Sequence, residues 1–225
     1  MTYLLLLLFN AICLVFGGFV FYKFFVQFLF KKKKISKFRV VGITGFKRNG
    51  KDTVANHIHN SYKGFAKIAF ADSLKEICAT LFSFNHEQLH GSLKEIPDPE
   101  WFDLQPRRAL QYIGTDMFRA HMHELCPEIG ENFWVLCAEK RIYRLFRDDQ
   151  NIHIVISDVR FPNECQMIKD IGGTIIRVTR PEANTSADLH ESERSIPTLP
   201  VDFDVINDGS FADLYKKIDD ALEHR

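Results

Sequence analysis

Apolar and polar residues follow one another along this chain in blocks that predict strands separated by helices. Short runs rich in apolar and β-branched residues, typical of buried strands, occupy 38–44, 66–70, 152–157, 174–178 and 203–206. Helical spacing or composition covers 52–62, 74–82, 107–125, 132–148, 164–171 and 211–223. Strands that alternate with helices are joined by right-handed crossovers, so the pattern predicts an α/β fold with a mainly parallel sheet flanked by helices.

The first 35 residues have a different pattern. From Tyr3 to Tyr22 every residue except Asn10 is apolar, aromatic or glycine, and a second apolar stretch ends at Lys31–Lys34. About 20 such residues can span a bilayer as one helix. We therefore expect residues 1–35 to be a membrane anchor, with residues 3–30 in the membrane, and residues 36–225 to form one globular domain. A cleaved signal peptide, which normally begins with positive charge, and a wrongly assigned start of the chain are the alternatives.

Charge asymmetry around the apolar run predicts the orientation of this anchor. No lysine or arginine precedes the run, while Lys23 and the cluster Lys31–Lys34 follow it. Positive residues stay on the cytoplasmic side of a first spanning helix. We therefore expect a single-pass membrane protein with its domain in the cytoplasm.

The composition excludes several classes of protein for the domain. The chain has 29 basic and 29 acidic residues, and five of the basic residues lie in the first 34. The remaining domain is mildly acidic, which argues against a general nucleic-acid-binding protein. Five scattered cysteines without a CxxC pair indicate reduced thiols, and they favour neither a disulfide framework nor a zinc site.

A glycine loop follows the first predicted strand. Gly45, Gly50 and Lys51 have the GxxxxGK spacing of a phosphate-binding loop. Glycines allow the backbone amides to face a phosphate, the next helix adds its positive end, and the lysine reaches the β- and γ-phosphates. Asp52 stands where this pattern usually has serine or threonine, and Thr53 comes one residue later. Asp52 either influences a magnesium ion or is only a helix N-terminal charge.

A second group of polar residues begins at Asp158. Four apolar residues lead into this aspartate, as they do in NTPases whose carboxylate holds magnesium. A helix N-cap after a strand is the plainer alternative. The surrounding stretch 157–164 is richer in polar groups than a cap requires.

Four stretches, in this order, resemble the deoxynucleoside monophosphate kinases of bacteriophages and large DNA viruses. They are Gly45–Thr53 (GFKRNGKDT), Leu110–Arg119 (LQYIGTDMFR), Asp158–Glu164 (DVRFPNE) and His190–Glu193 (HESE). The arrangement is also similar to animal-type phosphomevalonate kinase, which shares the Gly-Lys-Asp loop and the Glu-Ser-Glu stretch. The stretch at 158–164 favours the nucleotide kinases.

The resemblance implies a P-loop kinase that transfers a phosphoryl group from ATP, with Mg²⁺, to a deoxynucleoside monophosphate. The residues that it implies for catalysis are Lys51, Asp158, Arg160 and Arg180. Those for ATP are Gly45, Lys47, Asn49, Gly50, Lys51, Asp52, Thr53 and Asn207, and those for the metal are Thr53 and Asp158. Those for the acceptor are Arg108, Gln111, Thr115, Arg119 and Trp134. The stretch 177–193 resembles a lid, and a plain turn is the alternative for Asn207.

Three other functions remain open at this point. A phosphomevalonate-kinase-like enzyme or a dephospho-coenzyme A kinase would use the same donor site with another acceptor. A membrane-tethered nucleotide-binding module without transferase activity would keep the loop alone. The sequence leaves the oligomeric state open, with a homodimer as one alternative.

Overall fold

The computed structural model describes residues 40–181 and 191–223. Within them, five strands form one sheet in which every paired strand is parallel to its neighbour, in the order β2-β3-β1-β4-β5. The strands are β1 (Val40–Thr44), β2 (Phe65–Ile68), β3 (His153–Val159), β4 (Thr174–Thr179) and β5 (Phe203–Ile206). The α/β class and the parallel sheet predicted from the sequence are thus confirmed.

Helices connect the strands and cover the sheet. They are α1 (Lys51–Ser61), α2 (Asp72–Phe82), α3 (His86–His90), α4 (Pro106–Gln111), α5 (Ala120–Leu125), α6 (Phe133–Asp148), α7 (Pro162–Asp170), α8 (Glu191–Arg194) and α9 (Phe211–Glu223). A π-helix, Tyr112–Arg119, joins α4 to α5. Four 3₁₀ turns lie at Ser92–Glu95, Pro99–Trp101, Gly130–Asn132 and Ile196–Thr198.

The core lies where α1 and α9 cover one face of the sheet. All five residues of β1 are buried, as the continuous apolar run predicts for a central strand. Val41 and Ile43 belong to the same apolar cluster as Ile58 of α1 and Ile218 of α9. A second, smaller cluster packs α2, α3, α4 and the π-helix together around Cys78. This second cluster fixes the helices that stand beside the glycine loop.

Two predicted apolar helix faces are less buried than expected. Leu81 belongs to the apolar stripe predicted for α2 but is 60% exposed, and Phe211 at the start of α9 is 68% exposed. Both lie within the terminal turns of their helices. The interior positions of the two faces, Cys78 and Leu214, are buried as predicted.

The predicted membrane segment must be corrected. The apolar run over 3–30 lies outside the described residues, and no helix within 40–181 and 191–223 is both long and apolar enough to cross a membrane. The prediction of a single-pass membrane protein with a cytoplasmic kinase domain is corrected on this finding and is not carried further. All the helices and strands described above lie in one compact unit, Lys37–Arg225.

Candidate active site

The candidate site lies at the carboxyl ends of the strands, where the chain changes direction across the sheet. After β1 the chain moves to β2 on one side, and after β3 it crosses to β4 on the other. Ligands of open α/β sheets bind at such a switch point. A cavity of about 340 Å³ opens here, lined by the glycine loop, the start of α2, the loop after β3 and the helical stretch from α4 to the π-helix.

The glycine loop has the backbone that the sequence predicts. Gly45 has φ +142° and Gly50 has φ +98°, conformations that other residues rarely adopt. A Cβ at Gly45 would lie 2.3 Å from the carbonyl oxygen of Val178, and a Cβ at Gly50 would lie 2.8 Å from Nδ2 of Asn207. Helix α1 begins at Lys51, so its first amides and positive end follow the loop directly. The strand, loop and helix together form an anion-binding turn.

Lys51 is the cation at the point where the loop enters α1. Its Nζ donates a hydrogen bond to the carbonyl oxygen of Phe46 at 2.7 Å, and the side chain lines the cavity. Partial burial, and after it the charge of the nearby Arg160, lower the pKa of Lys51 to about 8. Burial disfavours the charged ammonium, so a phosphate in the cavity would stabilise it.

Asn49 and Asn207 brace the loop and do not line the cavity. Nδ2 of Asn49 donates to the carbonyl oxygen of Val178 at 3.0 Å, and Nδ2 of Asn207 donates to the carbonyl oxygen of Asn49 at 3.0 Å. Asn49 is only 2% exposed. The two amides therefore tie the loop to β4 and to the turn after β5, instead of standing among the groups that line the cavity.

Asp158 lies near the carboxyl end of β3 and lines the cavity. Its Oδ1 accepts a hydrogen bond from the backbone N–H of Phe70 at 2.7 Å, and its Oδ2 accepts one from that of Ala71 at 3.0 Å. Withdrawal from water raises the pKa of Asp158, while the two amides oppose this rise. Each carboxylate oxygen keeps a further lone pair, so Asp158 fits a magnesium ligand.

Asp52 and Thr53, the other two residues considered for magnesium, differ from each other in placement. Asp52 lines the cavity with an exposed side chain, 3.3 Å from Nζ of Lys67. Thr53 lies on α1 but does not line the cavity. Within the described residues no cluster of three or more His, Cys, Asp or Glu could hold a metal. Magnesium at nucleotides commonly uses one or two carboxylates and the substrate phosphates, so Asp158 alone satisfies the protein side.

A second part of the cavity lining, called the aromatic wall, consists of Trp134 with Gln111 and Thr115, the residues that the resemblance implies for an acceptor. Nε1 of Trp134 donates to the carbonyl oxygen of Gly114 at 2.8 Å, which satisfies the polar edge of the indole. The residue is only 4% exposed, and its ring lies beside those of Phe118 and Phe133, so a small part of the indole borders the cavity.

Arg119 lines the cavity, and contacts with Glu164 and Phe161 hold its side chain. Its Nη2 lies 3.1 Å from Oε1 of Glu164, and its guanidinium carbon lies 3.6 Å from the ring centroid of Phe161. Glu164 also accepts hydrogen bonds from the backbone N–H groups of Arg160 and Phe161. Burial, together with the charge of Asp158, raises the pKa of Glu164 to about 7. Arg119 therefore holds the 158–164 turn together as well as facing the cavity.

The structure does not bring Arg108 or Arg180 to the cavity. Both are exposed, whereas Arg160 and Lys47 line the cavity as predicted. Among the lining residues that the sequence analysis missed are four basic ones: Arg48, Lys75, Lys94 and Arg107. Arg107 could have been found, because it precedes Gln111 by four residues and so shares its helix face. The lid-like stretch is only partly described: residues 182–190, which include His190, lie outside the structure, and Glu193 lines the cavity.

Comparisons with known proteins bear on this site. A family model described as deoxynucleotide monophosphate kinase matches residues 94–218. A protein of Acanthamoeba polyphaga mimivirus, provisionally named as such a kinase, is 35% identical over 188 residues, covering 82% of this chain and 96% of the relative. The deoxynucleotide monophosphate kinase of Enterobacteria phage T4 is 29% identical over 117 residues, which cover 52% of this chain and 45% of the relative. The chain thus spans less than half of that phage protein.

Among solved structures, the dephospho-CoA kinase from Campylobacter jejuni has a TM-score of 0.43 and 17% identity, with 82% of this chain and 96% of that chain covered. That likeness is too weak for a conclusion. The family model, by contrast, matches more than half of the chain, and the mimivirus relative is matched over almost its whole length. This chain therefore belongs to the deoxynucleotide monophosphate kinase family.

Proposed function

We propose that this kinase transfers the γ-phosphoryl group of ATP to the phosphate of a deoxynucleoside monophosphate in the cavity at the carboxyl edge of its sheet. The observation that carries the proposal is that one cavity joins a phosphate-binding loop to an aromatic wall. Lys51 with its loop, and Trp134 with Gln111 and Thr115, belong to the lining of this same cavity. A donor and an acceptor in these two places bring their phosphates together between them.

The donor side positions the triphosphate. The loop amides, the start of α1 and Lys51 would hold its β- and γ-phosphates. Asp158 would hold the magnesium ion, which neutralises charge on the phosphates. Thr53 is not retained as a metal ligand, because it does not line the cavity.

The acceptor side would bind the base against Trp134, with Gln111 and Thr115 at its edge. Arg107 replaces Arg108 as a residue proposed for the acceptor phosphate, since only Arg107 lines the cavity. An oxygen of the acceptor phosphate attacks the γ-phosphorus, the bond to the bridging oxygen of the β-phosphate breaks, and ADP leaves. The acceptor phosphate is a dianion near neutral pH, so no side chain need remove a proton. Arg160 would stabilise the charge on the transferring group.

An acceptor panel tests this function. The full chain is incubated with ATP and Mg²⁺ and with each of the four common deoxynucleoside monophosphates, the four ribonucleotides, phosphomevalonate or dephospho-coenzyme A. We expect ADP and a deoxynucleoside diphosphate from at least one of the first four. Phosphorylation of phosphomevalonate or dephospho-coenzyme A alone would replace the proposed acceptor. ATP binding without any transfer would favour a nucleotide-binding module.

The variant Lys51→Ala tests the donor assignment. Loss of one preorganised charge contact to the transferring group costs about 10²-fold or more in rate, so we expect kcat to fall by at least that factor. Lys63→Ala is the matched control, because Lys63 is exposed and does not line the cavity. Circular dichroism confirms that both variants are folded. A folded Lys51→Ala enzyme with normal turnover would remove the loop from the mechanism.

A further inference from the structure

The 3₁₀ turn Ser92–Glu95 lies between the glycine loop and α4. Oε1 of Glu95 lies 2.7 Å from Nζ of Lys47, on the loop, and 2.5 Å from Nε of Arg107, on α4. One carboxylate oxygen is therefore shared by a cation from each side of the cavity. These two ion pairs fix the turn at the mouth of the cavity and place its neighbouring residue, Lys94, among the lining side chains.

Lys94 is partly buried and has neither a hydrogen bond nor an ion pair with any residue of 40–181 or 191–223. Its charged surroundings are mostly basic: Lys75 of α2, Arg107 of α4 and Arg160 after β3, with Asp52 of α1 as the opposing charge. Burial, and after it the charges of Lys75 and Arg107, lower the pKa of Lys94 to about 8. An ammonium group withdrawn from water without a carboxylate partner is costly. An anion in the cavity would offset that cost.

We propose that Lys94 binds the phosphate of the acceptor nucleotide. The inference rests on the proposed function of the same cavity, and it adds a residue that neither the loop nor the resemblance assigns. The acceptor is favoured over the donor because the charges that act most strongly on Lys94 are Lys75 and Arg107. These stand on α2 and α4, and α4 also carries Gln111, a cavity-lining residue proposed for the acceptor. Glu95 then acts as a positioning residue that holds the turn in place.

Equilibrium binding to the full chain without ATP tests this assignment. Each of the four common deoxynucleoside monophosphates is titrated into the wild type, Lys94→Met and Lys216→Met. The four phosphate-free deoxynucleosides and ATP are titrated into the same proteins in separate experiments. Lys216 is the matched control, an exposed lysine of α9 that does not line the cavity. Loss of a hydrogen bond between charged groups weakens binding by about 10- to 100-fold. We expect that loss for the monophosphates in Lys94→Met, with deoxynucleoside and ATP affinities unchanged.

The outcomes separate this inference from the proposed function. A wild type that binds none of the four monophosphates would overturn the proposed function, and the inference with it. If the wild type and Lys94→Met bound a monophosphate equally tightly, the inference would be overturned while the proposed function stood. A loss confined to ATP would move Lys94 to the donor side and also overturn it. Thermal unfolding of each variant establishes that the comparison is made between folded proteins, and Lys94→Gln replaces Lys94→Met if the latter does not fold.

The pH dependence gives a readout that a structural role would not change. Lys94 binds a phosphate best when protonated, so wild-type affinity for the monophosphate is expected to fall as the pH rises through about 8. Lys94→Arg keeps the positive charge at every pH tested, so its affinity is expected to fall less between pH 7 and 9. Lys51, whose pKa is also about 8, is present in both proteins, so only the difference between them reports Lys94. An equal decline in both would overturn the assignment.

Discussion

Arg119 combines a place in the cavity with a role in the fold. The side chain contacts the ring of Phe161 and the carboxylate of Glu164, and the residue is only 9% exposed. Glu164 in turn accepts hydrogen bonds from the backbone N–H groups of Arg160 and Phe161, which directly precede α7. Removal of the arginine would therefore leave a buried carboxyl group without its cation. This differs from the simple acceptor contact that the resemblance implies for Arg119.

Arg119→Met is expected to lower the free energy of unfolding by about 3 kcal/mol at pH 8, because a buried ion pair loses one partner. The loss should be smaller at pH 5. The pKa of Glu164 is raised to about 7, so below that pH the group is mostly neutral and needs the cation less. Urea unfolding at both pH values measures the effect.

The control for this prediction is Arg144→Met, since Arg144 is an exposed residue of α6. A surface substitution of this kind changes stability by less than about 0.5 kcal/mol. If Arg119→Met were as stable as Arg144→Met at pH 8 but bound the acceptor poorly, Arg119 would be a substrate contact without the supporting role.

Residues whose position depends on local sequence were predictable, and residues placed by distant contacts were not. Lys51 follows from the spacing of two glycines, and Asp158 follows from the strand that precedes it. Lys94 enters the cavity because its neighbour, Glu95, pairs with Lys47 and Arg107, which are 48 and 12 residues away along the chain. No spacing or periodicity shows such a contact. Arg107, and not the predicted Arg108, lines the cavity because the two neighbours lie on different faces of α4.

At the scale of elements, the π-helix Tyr112–Arg119 is the main departure from the predicted pattern. The sequence predicts one helix over 107–125, and the structure has helical backbone throughout but with a π segment in its middle. The N–H of Ala120, for example, reaches the carbonyl oxygen of Thr115, five residues earlier. The spacing of apolar residues does not reveal a π-helical segment of this kind. Such wider helical turns occur frequently at functional sites. Here the widened part includes Gly114 and Thr115, which line the cavity.

Gly114→Ala is expected to weaken acceptor binding while it leaves the fold intact. A Cβ at Gly114 would lie 2.6 Å from Cδ2 of Leu74, so this cavity-lining side chain would have to shift. Alanine also favours helical backbone by about 1 kcal/mol over glycine, which offsets the crowding in stability. We expect the KM for the acceptor to rise several-fold and the KM for ATP to stay unchanged.

The double variant Gly114→Ala/Leu74→Ala provides the control, because it removes the crowded methyl groups. Recovery of most of the lost acceptor affinity in the double variant would attribute the effect to this contact. An equal rise of KM for both substrates in Gly114→Ala would instead show that the whole cavity had been distorted.

At the scale of the whole molecule, charge is balanced overall but not at the cavity. The chain has 29 basic and 29 acidic residues, while the side chains that line the cavity include eight Lys or Arg and four Asp or Glu. Composition therefore gave no sign of this cluster, although the strands that bring it together were predicted. The buried runs identify the strands, but the order β2-β3-β1-β4-β5, which gathers these loops at one edge, depends on tertiary packing.

A cleft lined by one sign of charge focuses the electric field and speeds the arrival of oppositely charged ligands. Salt screens this effect, since the Debye length falls from about 30 Å at 0.01 M to about 8 Å at 0.15 M ionic strength. We therefore expect kcat/KM for the deoxynucleoside monophosphate to fall about tenfold over that range of salt. The measurement is made with saturating Mg²⁺ and ATP at each salt concentration.

Two controls separate screening at the cavity from a general effect of salt on the protein. The free energy of unfolding should change little, because exposed ion pairs each contribute less than about 1 kcal/mol. Binding of the uncharged deoxynucleoside should also be insensitive to salt. If kcat/KM for the monophosphate were independent of salt, the excess of basic side chains would have no part in capturing the acceptor, and their role would be confined to contacts made after binding.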